Sequence, residues 1–265
     1  MASLSLKELL CVATDAAYLG GRRALAYFNT GVAVERKRDD TPVTQADREA
    51  EALIREYIRK QYPTHALVGE EHGTAEGTGD GQAYRWIIDP IDGTKSFVTG
   101  APLWGVLVGV EVGGVPSVGV IYLPALEEMV AAATGFGCTW NSRTAQVSEL
   151  TALGEATLLT TSVRECQARS DAFDRLAGQV RLVRGWGDCY GYVLVATGRA
   201  DIMLDAAMKP WDSAPMLPIL QEAGGHFSDW SGRPTIWGDD AVATNAALYP
   251  EVSAILRSER RHQPA

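Results

Sequence analysis

Apolar residues at helical spacing open the chain. Over residues 4–28, Leu6, Leu9, Leu10, Ala13, Ala17 and Leu25 fall roughly on one face, which predicts a first helix. "TQADREAEALIREYIRKQYP" (44–63) predicts a second, built of strong helix formers and stopped before Pro63. Beyond it, short apolar runs alternate with turn residues: "HALVGEE", "YRWIIDP", "WGVLVGVEV", "VPSVGVIYLP" and "EEMVAAATGFG". "GGVP" between the third and fourth predicts a hairpin, so the region reads as a largely antiparallel meander. "GTAEGTGDGQ" (73–82) reads as a flexible acidic loop, either a solvated connection or a flap over a site.

The pattern changes near residue 145. "TLLTTSV" and "RLVRGW" predict strands, "CYGYVLVATGRA" a helix, "ADIMLD" a strand, and "WDSAPMLPILQEAGG" one helix closed by glycines. A helix-and-sheet half (1–145) followed by an alternating half (146–265) predicts a layered α/β (α+β) sandwich, one compact unit with a cleft between the halves.

Composition narrows the functions this fold can serve. The chain has 265 residues, 46% of them hydrophobic, and a net charge of −9. That acidity disfavours a nucleic-acid or anionic-membrane partner, which needs clustered Lys and Arg. The segment from residue 1 breaks its apolar positions helically, unlike a signal peptide, and no run approaches the ~20 apolar residues of a membrane span. Cys11, Cys138, Cys166 and Cys189 lie far apart without CxxC spacing, as reduced thiols do, and a cytoplasmic location follows. His65, His72, His226 and His262 form no paired metal spacing and read as surface or loop residues; no GxSxG elbow is present.

The chemistry concentrates in "RWIIDPIDGTKSF" (85–97). Pro90 and Gly93 oppose a continuous helix across Asp89 and Asp92, so both acids fall on a turn after strand "WII". Such a turn can aim two carboxylates and the Ile91 carbonyl at one point, a hard-oxygen set suited to Mg²⁺. Gly93 and Thr94 can then start a helix whose N–H groups face an anion. The bland alternative makes Asp92 a helix N-cap and Asp89 a turn former. Glu70 and Glu71 follow an apolar run, Asp212 heads a helix in "PWDSAP", and Asp47 lies in "KRDDTPVTQADRE" beside Lys37; each has an ordinary reading as a surface acid or cap.

In combination these segments resemble the inositol monophosphatase family of metal-dependent, lithium-sensitive phosphatases. "WIIDPIDGTKSF" resembles its central signature and "PWDSAPMLPILQEAGG" its C-terminal one, with "GEE" and "TPVTQADRE" in the expected order. The resemblance implies the αβαβα fold shared with fructose bisphosphatases, a homodimer, and a small phosphorylated metabolite as substrate. It implies that Glu70, Asp89, the Ile91 carbonyl, Asp92 and Asp212 bind two or three Mg²⁺ ions. Asp47 and Thr94 are then the pair that polarises water, with Glu70 beside them, and the Gly93 and Thr94 amides hold phosphate. The segment "WNSR" departs from the Asn-Gly often found there, and Glu71 has no assigned role.

"RGWGDCYGYVLVATGRADIMLD" (184–205) is similar to the histidinol-phosphate phosphatases of that family. Asp205, seven positions before Asp212, matches a substrate-contacting position, and Asp188 adds a second anion. Carboxylates there suit an alcohol bearing an ammonium and an imidazole. Asp188 also reads as a helix cap, Arg184 as a phosphate contact or loop anchor, and Trp186, Tyr190 and Tyr192 as core. Two other functions stay open: an inositol or broader sugar-phosphate phosphatase, in which the Asp188 turn is incidental, and a phosphatase-like regulator without catalysis.

Overall fold

The computed structural model describes residues 4–37 and 41–258. Two N-terminal helices, α1 (Leu6–Leu25) and α2 (Gln45–Gln61), form the first layer. Each begins with a reciprocal cap: Ser5 with Glu8, and Thr44 with Asp47. A short antiparallel ribbon, β1 (Val34–Arg36) with β2 (Pro42–Thr44), leads into α2.

Under the helices lies an eight-stranded sheet made of β3 (Ala66–Gly69), β4 (Gly73–Ala75), β5 (Tyr84–Asp92), β6 (Gly105–Val112), β7 (Val115–Leu123), β8 (Glu128–Ala133), β9 (Cys138–Trp140) and β10 (Arg143–Thr144). Its order is β10-β9-β8-β7-β6-β5-β3-β4, antiparallel except where β3 runs parallel to β5. The sheet is covered on both faces, which explains runs as uniformly apolar as "WGVLVGVEV". Trp86, Ile88, Val106 and Val108 pack against α1 and α2, whereas Ile87, Leu107 and Ile121 face inward.

The next layer is α6 (Asp188–Ala196), α7 (Pro210–Ser213) and α8 (Met216–Glu222). A five-stranded sheet follows, β12-β11-β13-β15-β14, from β11 (Thr157–Leu159), β12 (Leu182–Arg184), β13 (Ile202–Asp205), β14 (Gly225–Ser228) and β15 (Ala241–Asn245). Its outer face carries α4 (Val163–Arg169), α5 (Ala172–Ala177) and α9 (Tyr249–Arg257), packed on Leu158, Ile202, Leu204 and Val242. A small helix, α3 (Thr94–Thr99), follows β5. The result is an αβαβα sandwich.

Several expectations need correction. The single helix expected over 211–225 is two, α7 and α8, because Pro215 has no N–H to continue the ladder. That break rests directly on the sheet: a Cβ on Gly109 would lie 2.5 Å from Ala214 Cβ, and one on Gly119 would lie 2.2 Å from the Pro215 carbonyl oxygen. Only glycine lets the helix pair sit this close. The segment 73–82 is partly ordered, with β4 paired to β3 and a tight turn at Gly79–Ala83. Strand β11 ends at Leu159, short of "TTSV". "WNSR" forms the β9–β10 turn, with Asn141 and Ser142 both left-handed at φ 47° and 65°. His65 is buried, not a surface residue, and His262 lies outside the described residues. Cys138, Cys166 and Cys189 are buried free thiols, and Cys11 is exposed.

Candidate active site

The site begins with an irregularity in β5. Asp89 pairs with Leu107 of β6 but Asp92 pairs with Gly105, so β5 carries one extra residue between them. Pro90 lies in that bulge, where a missing N–H is tolerated. In a regular strand, residues three apart point to opposite faces; the bulge turns Asp89 and Asp92 to one side. Gly93 then takes a left-handed turn, φ 81°, as the N-cap of α3. The cap expected of Asp92 is therefore made by Gly93.

Asp212, in α7, completes a group with Asp89 and Asp92 whose carboxylate oxygens, one from each, all lie within 4.8 Å of one another. Each acid has one oxygen fixed by a backbone N–H. Ile91 N donates to Asp89 Oδ1 (3.0 Å), Lys209 N to Asp212 Oδ2 (2.8 Å), and Cys189 N to Asp92 Oδ2. The amides set the carboxylate planes and leave a second oxygen of each for another ligand. Asp212 thus accepts the Lys209 N–H at the start of α7 and also belongs to the acidic group.

A cavity of about 210 Å³ opens over these acids, lined also by Glu70, Ile91, Gly93, Thr94 and Asp188. Its electrostatics are unfavourable as they stand. Burial and the neighbouring charges of Glu70, Asp92 and Asp212 push Asp89 well above the ordinary carboxylate range. Burial and Asp212 push Asp92 up to about 7. Burial, with Glu70 and other acids, pushes Asp212 up to about 7 despite the Lys209 amide. Burial, then Asp92 and Asp205, push Asp188 up to about 8. Packed carboxylates of this kind could hold a cation, which would relieve their mutual repulsion.

Of the acid pair after β3, Glu70 lines the cavity and Glu71 does not. Lys37 pairs with both, at 2.6 Å from Glu70 Oε1. Behind them stands Glu51, a residue the sequence reading passed over. It is fully buried, pairs with Arg55 at 2.6 Å, and accepts N–H groups from Glu71 (2.7 Å) and His72 (3.2 Å). Glu51 thereby fixes the turn that presents Glu70. In the sequence it looks like any acid at i,i+4 from an arginine, and nothing marks it as buried.

Thr94 lines the cavity and donates to the Ile91 carbonyl at 3.1 Å. Asp47 is buried beneath, with Oδ2 accepting from Thr44 N (2.8 Å) and Oγ1 (2.7 Å); no hydrogen bond joins it to Thr94. Burial pushes Asp47 up to about 6. A smaller chamber of about 50 Å³ adjoins the cavity and is lined by Asp92, Asp188, Asp205, Asp212, Thr161 and Tyr192, among others. Asp205 accepts from Thr161 N (2.9 Å) and from the Tyr192 hydroxyl (3.1 Å). Tyr192 is core, as expected, but Trp186 is 43% exposed. Arg184 is exposed, donates to the Val183 carbonyl and lines neither space, so the structure does not bring it to the other residues. Lys95, Lys209 and Trp211 line the cavity without having been singled out, although Lys95 and Trp211 lie within quoted motifs and Lys209 adjoins one.

A double-sheet α/β sandwich with a carboxylate group at a strand bulge, opening on a short helix, defines a metal-dependent phosphatase architecture. The inositol monophosphatase family profile matches residues 5–262, and the chain belongs to the inositol monophosphatase family. It is 42% identical to a histidinol-phosphatase of Chlorobaculum parvum, over 95% of this chain and 98% of that protein. It is 37% identical to a histidinol-phosphatase of Streptomyces coelicolor, over 96% of each. Among solved structures, an inositol monophosphatase from Anabaena superposes with a TM-score of 0.82 at 30% identity, over 95% of this chain and 96% of that one. No helix among the described residues is long and apolar enough to cross a membrane.

Proposed function

We propose that the protein hydrolyses histidinol phosphate to histidinol and phosphate, using Mg²⁺ held by Glu70, Asp89, the Ile91 carbonyl, Asp92 and Asp212. The observation that carries the metal assignment is the donor set: clustered hard oxygens, each acid with one oxygen already fixed by an amide. Bound there, two or three Mg²⁺ ions supply the positive charge that a phosphate monoester needs and make a water nucleophilic near neutral pH.

The chain's own residues do the rest. Lys95 and Lys209, at the cavity wall, draw in the phosphate dianion. The Gly93 and Thr94 amides, at the start of α3, receive its oxygens. Asp47, together with Thr94, takes the proton from the attacking water. Its value of about 6 makes it an ionised acceptor at neutral pH, and Oδ1 accepts no hydrogen bond from any described residue. Asp188 and Asp205 meet the cationic alcohol. The name carried by both relatives, over nearly the full chain, supports this choice of ester. A homodimer, a cytoplasmic location and lithium inhibition accompany the reading as family expectations.

A second reading, favoured by the likeness to an inositol monophosphatase, keeps the metal chemistry and assigns a neutral polyol phosphate. Phosphate release with Mg²⁺ from histidinol phosphate, inositol 1-phosphate and fructose 1,6-bisphosphate separates them. The proposal expects a kcat/KM for histidinol phosphate well above the others. Equal or reversed rates would establish the second reading.

A further inference from the structure

Asp188 is held in an unusual way. It has a left-handed backbone, φ 50°, a conformation uncommon outside glycine and tolerated mainly by Asn and Asp. What holds it there is Thr161, from a different segment of the chain. The Asp188 N–H donates to Thr161 Oγ1 at 2.8 Å. The preceding loop is pressed against the same residue: a Cβ on Gly187 would lie 2.3 Å from Thr161 Cα. From its other side, the Thr161 N–H donates to Asp205 Oδ1 at 2.9 Å. One threonine therefore joins the two acids that flank the small chamber, and it lines that chamber itself.

The two acids are not equivalent. Asp205 has both oxygens engaged, by Thr161 N and by the Tyr192 hydroxyl, and is buried. The Asp188 carboxylate accepts no hydrogen bond from any described residue, and its Oδ2 stands 3.1 Å from where a Cβ of Gly93 would be. Its direction is thus set only through its backbone. That backbone is pinned by the Thr161 hydroxyl.

We propose that Thr161 is a positioning residue for substrate discrimination: its hydroxyl aims Asp188, and its amide aims Asp205, at the cationic end of the leaving alcohol. The inference rests on the proposed reading in which those acids recognise a cationic alcohol. It assigns selectivity to a residue that carries no charge and stands 27 and 44 positions away in sequence from the two acids it contacts.

The test compares kcat/KM for histidinol phosphate with that for inositol 1-phosphate on the full Mg²⁺-loaded chain. The variants are Thr161→Val, Thr161→Ala, Thr161→Ser and Asp188→Asn. Loss of the hydrogen bond that pins the Asp188 backbone predicts that Thr161→Val lowers the ratio about tenfold, through KM for histidinol phosphate more than through kcat. Thr161→Ser, which keeps the hydroxyl, returns most of it. Thr161→Ala repeats the loss without the added methyl, so misfolding of the valine variant does not decide the matter. If Asp188→Asn shifts the ratio but the valine and alanine variants slow both esters equally, the positioning role is overturned while the recognition reading stands. If Asp188→Asn leaves the ratio unchanged, the recognition reading fails and this inference falls with it.

Discussion

The backbone N–H of Cys189 donates to Asp92 Oδ2 across 97 residues of sequence. Cys189 follows Asp188 at the start of α6, and Asp92 closes the bulge of β5. The bond therefore ties the segment proposed to select the alcohol to the turn proposed to hold the metal. A disturbance at either end reaches the other, and the variants below are chosen with that link in mind.

Asp89→Asn and Asp212→Asn are expected to lower turnover at least about 100-fold, beyond the 10–100-fold typical of residues behind metal ligands. Both should still fold, because asparagine can accept the Ile91 or Lys209 N–H. Without metal they should melt no lower than the parent, since each removes a like charge from a crowded site. Phosphate release and thermal unfolding in chelator check both halves; full activity in either variant contradicts its ligand role.

Stability without metal should fall as pH rises. Asp92 and Asp212 sit at about 7 and Asp188 at about 8 in the folded chain, against roughly 3.9 unfolded. The folded state thus binds protons more tightly. Its contribution is complete below the unfolded value and is lost as pH climbs through the folded ones, over about pH 4 to 8. Mg²⁺ should reverse the trend by binding the ionised form, with proton release on titration. Melting curves from pH 5 to 9, with chelator and with Mg²⁺, would be parallel if the acids were not linked to the metal.

His65 should act with the opposite sign. Burial holds it down to about 4, and its ring lies between Tyr62 and Tyr84, each with centroids 4.5 Å away. Its Nδ1 accepts from Trp86 Nε1 at 2.9 Å, so that nitrogen must stay unprotonated. The unfolded chain takes up the proton first, and stability is lost as pH falls from about 6.5 to 4. His65→Ala should remove this dependence and cost about 1–3 kcal/mol for the orphaned indole N–H alone, read from urea unfolding.

Glu51→Ala should cost about 3–5 kcal/mol, the effect of stranding a buried Arg55. It should also raise the Mg²⁺ concentration for half-maximal activity, because the turn bearing Glu70 loses its anchor. Glu51→Gln, which keeps an acceptor, should recover part of the metal dependence. An unchanged Mg²⁺ requirement in both variants would reduce Glu51 to a purely structural role.

The strands were legible because both faces of the larger sheet are buried, so β5, β6 and β7 stand out as apolar runs between turns. The acids were legible because each lies at or near the end of an element, beside turn-forming residues. Other features depend on contacts between distant segments. Glu51 looks like a helix-surface acid until the turn after β3 folds over it, and His65 looks like a loop residue until two tyrosines enclose it. Thr161 carries no charge or motif; its partners come from α6 and β13. The break at Pro215 was missed in 211–225, and its close seat on Gly109 and Gly119 exists only in the packed layers.

That seat bears on how such a molecule can change over generations. Beneath Asp212 the floor is bare backbone, at positions where any side chain collides with Ala214 or Pro215. Drift that alters the floor displaces α7 and is purged with it. The loops at Thr161 and at 184–188 press on each other at Gly187, away from that floor, and can be rewritten together. A lineage built on this scaffold can trade one phosphate ester for another at its rim while inheriting the hydrolytic centre intact.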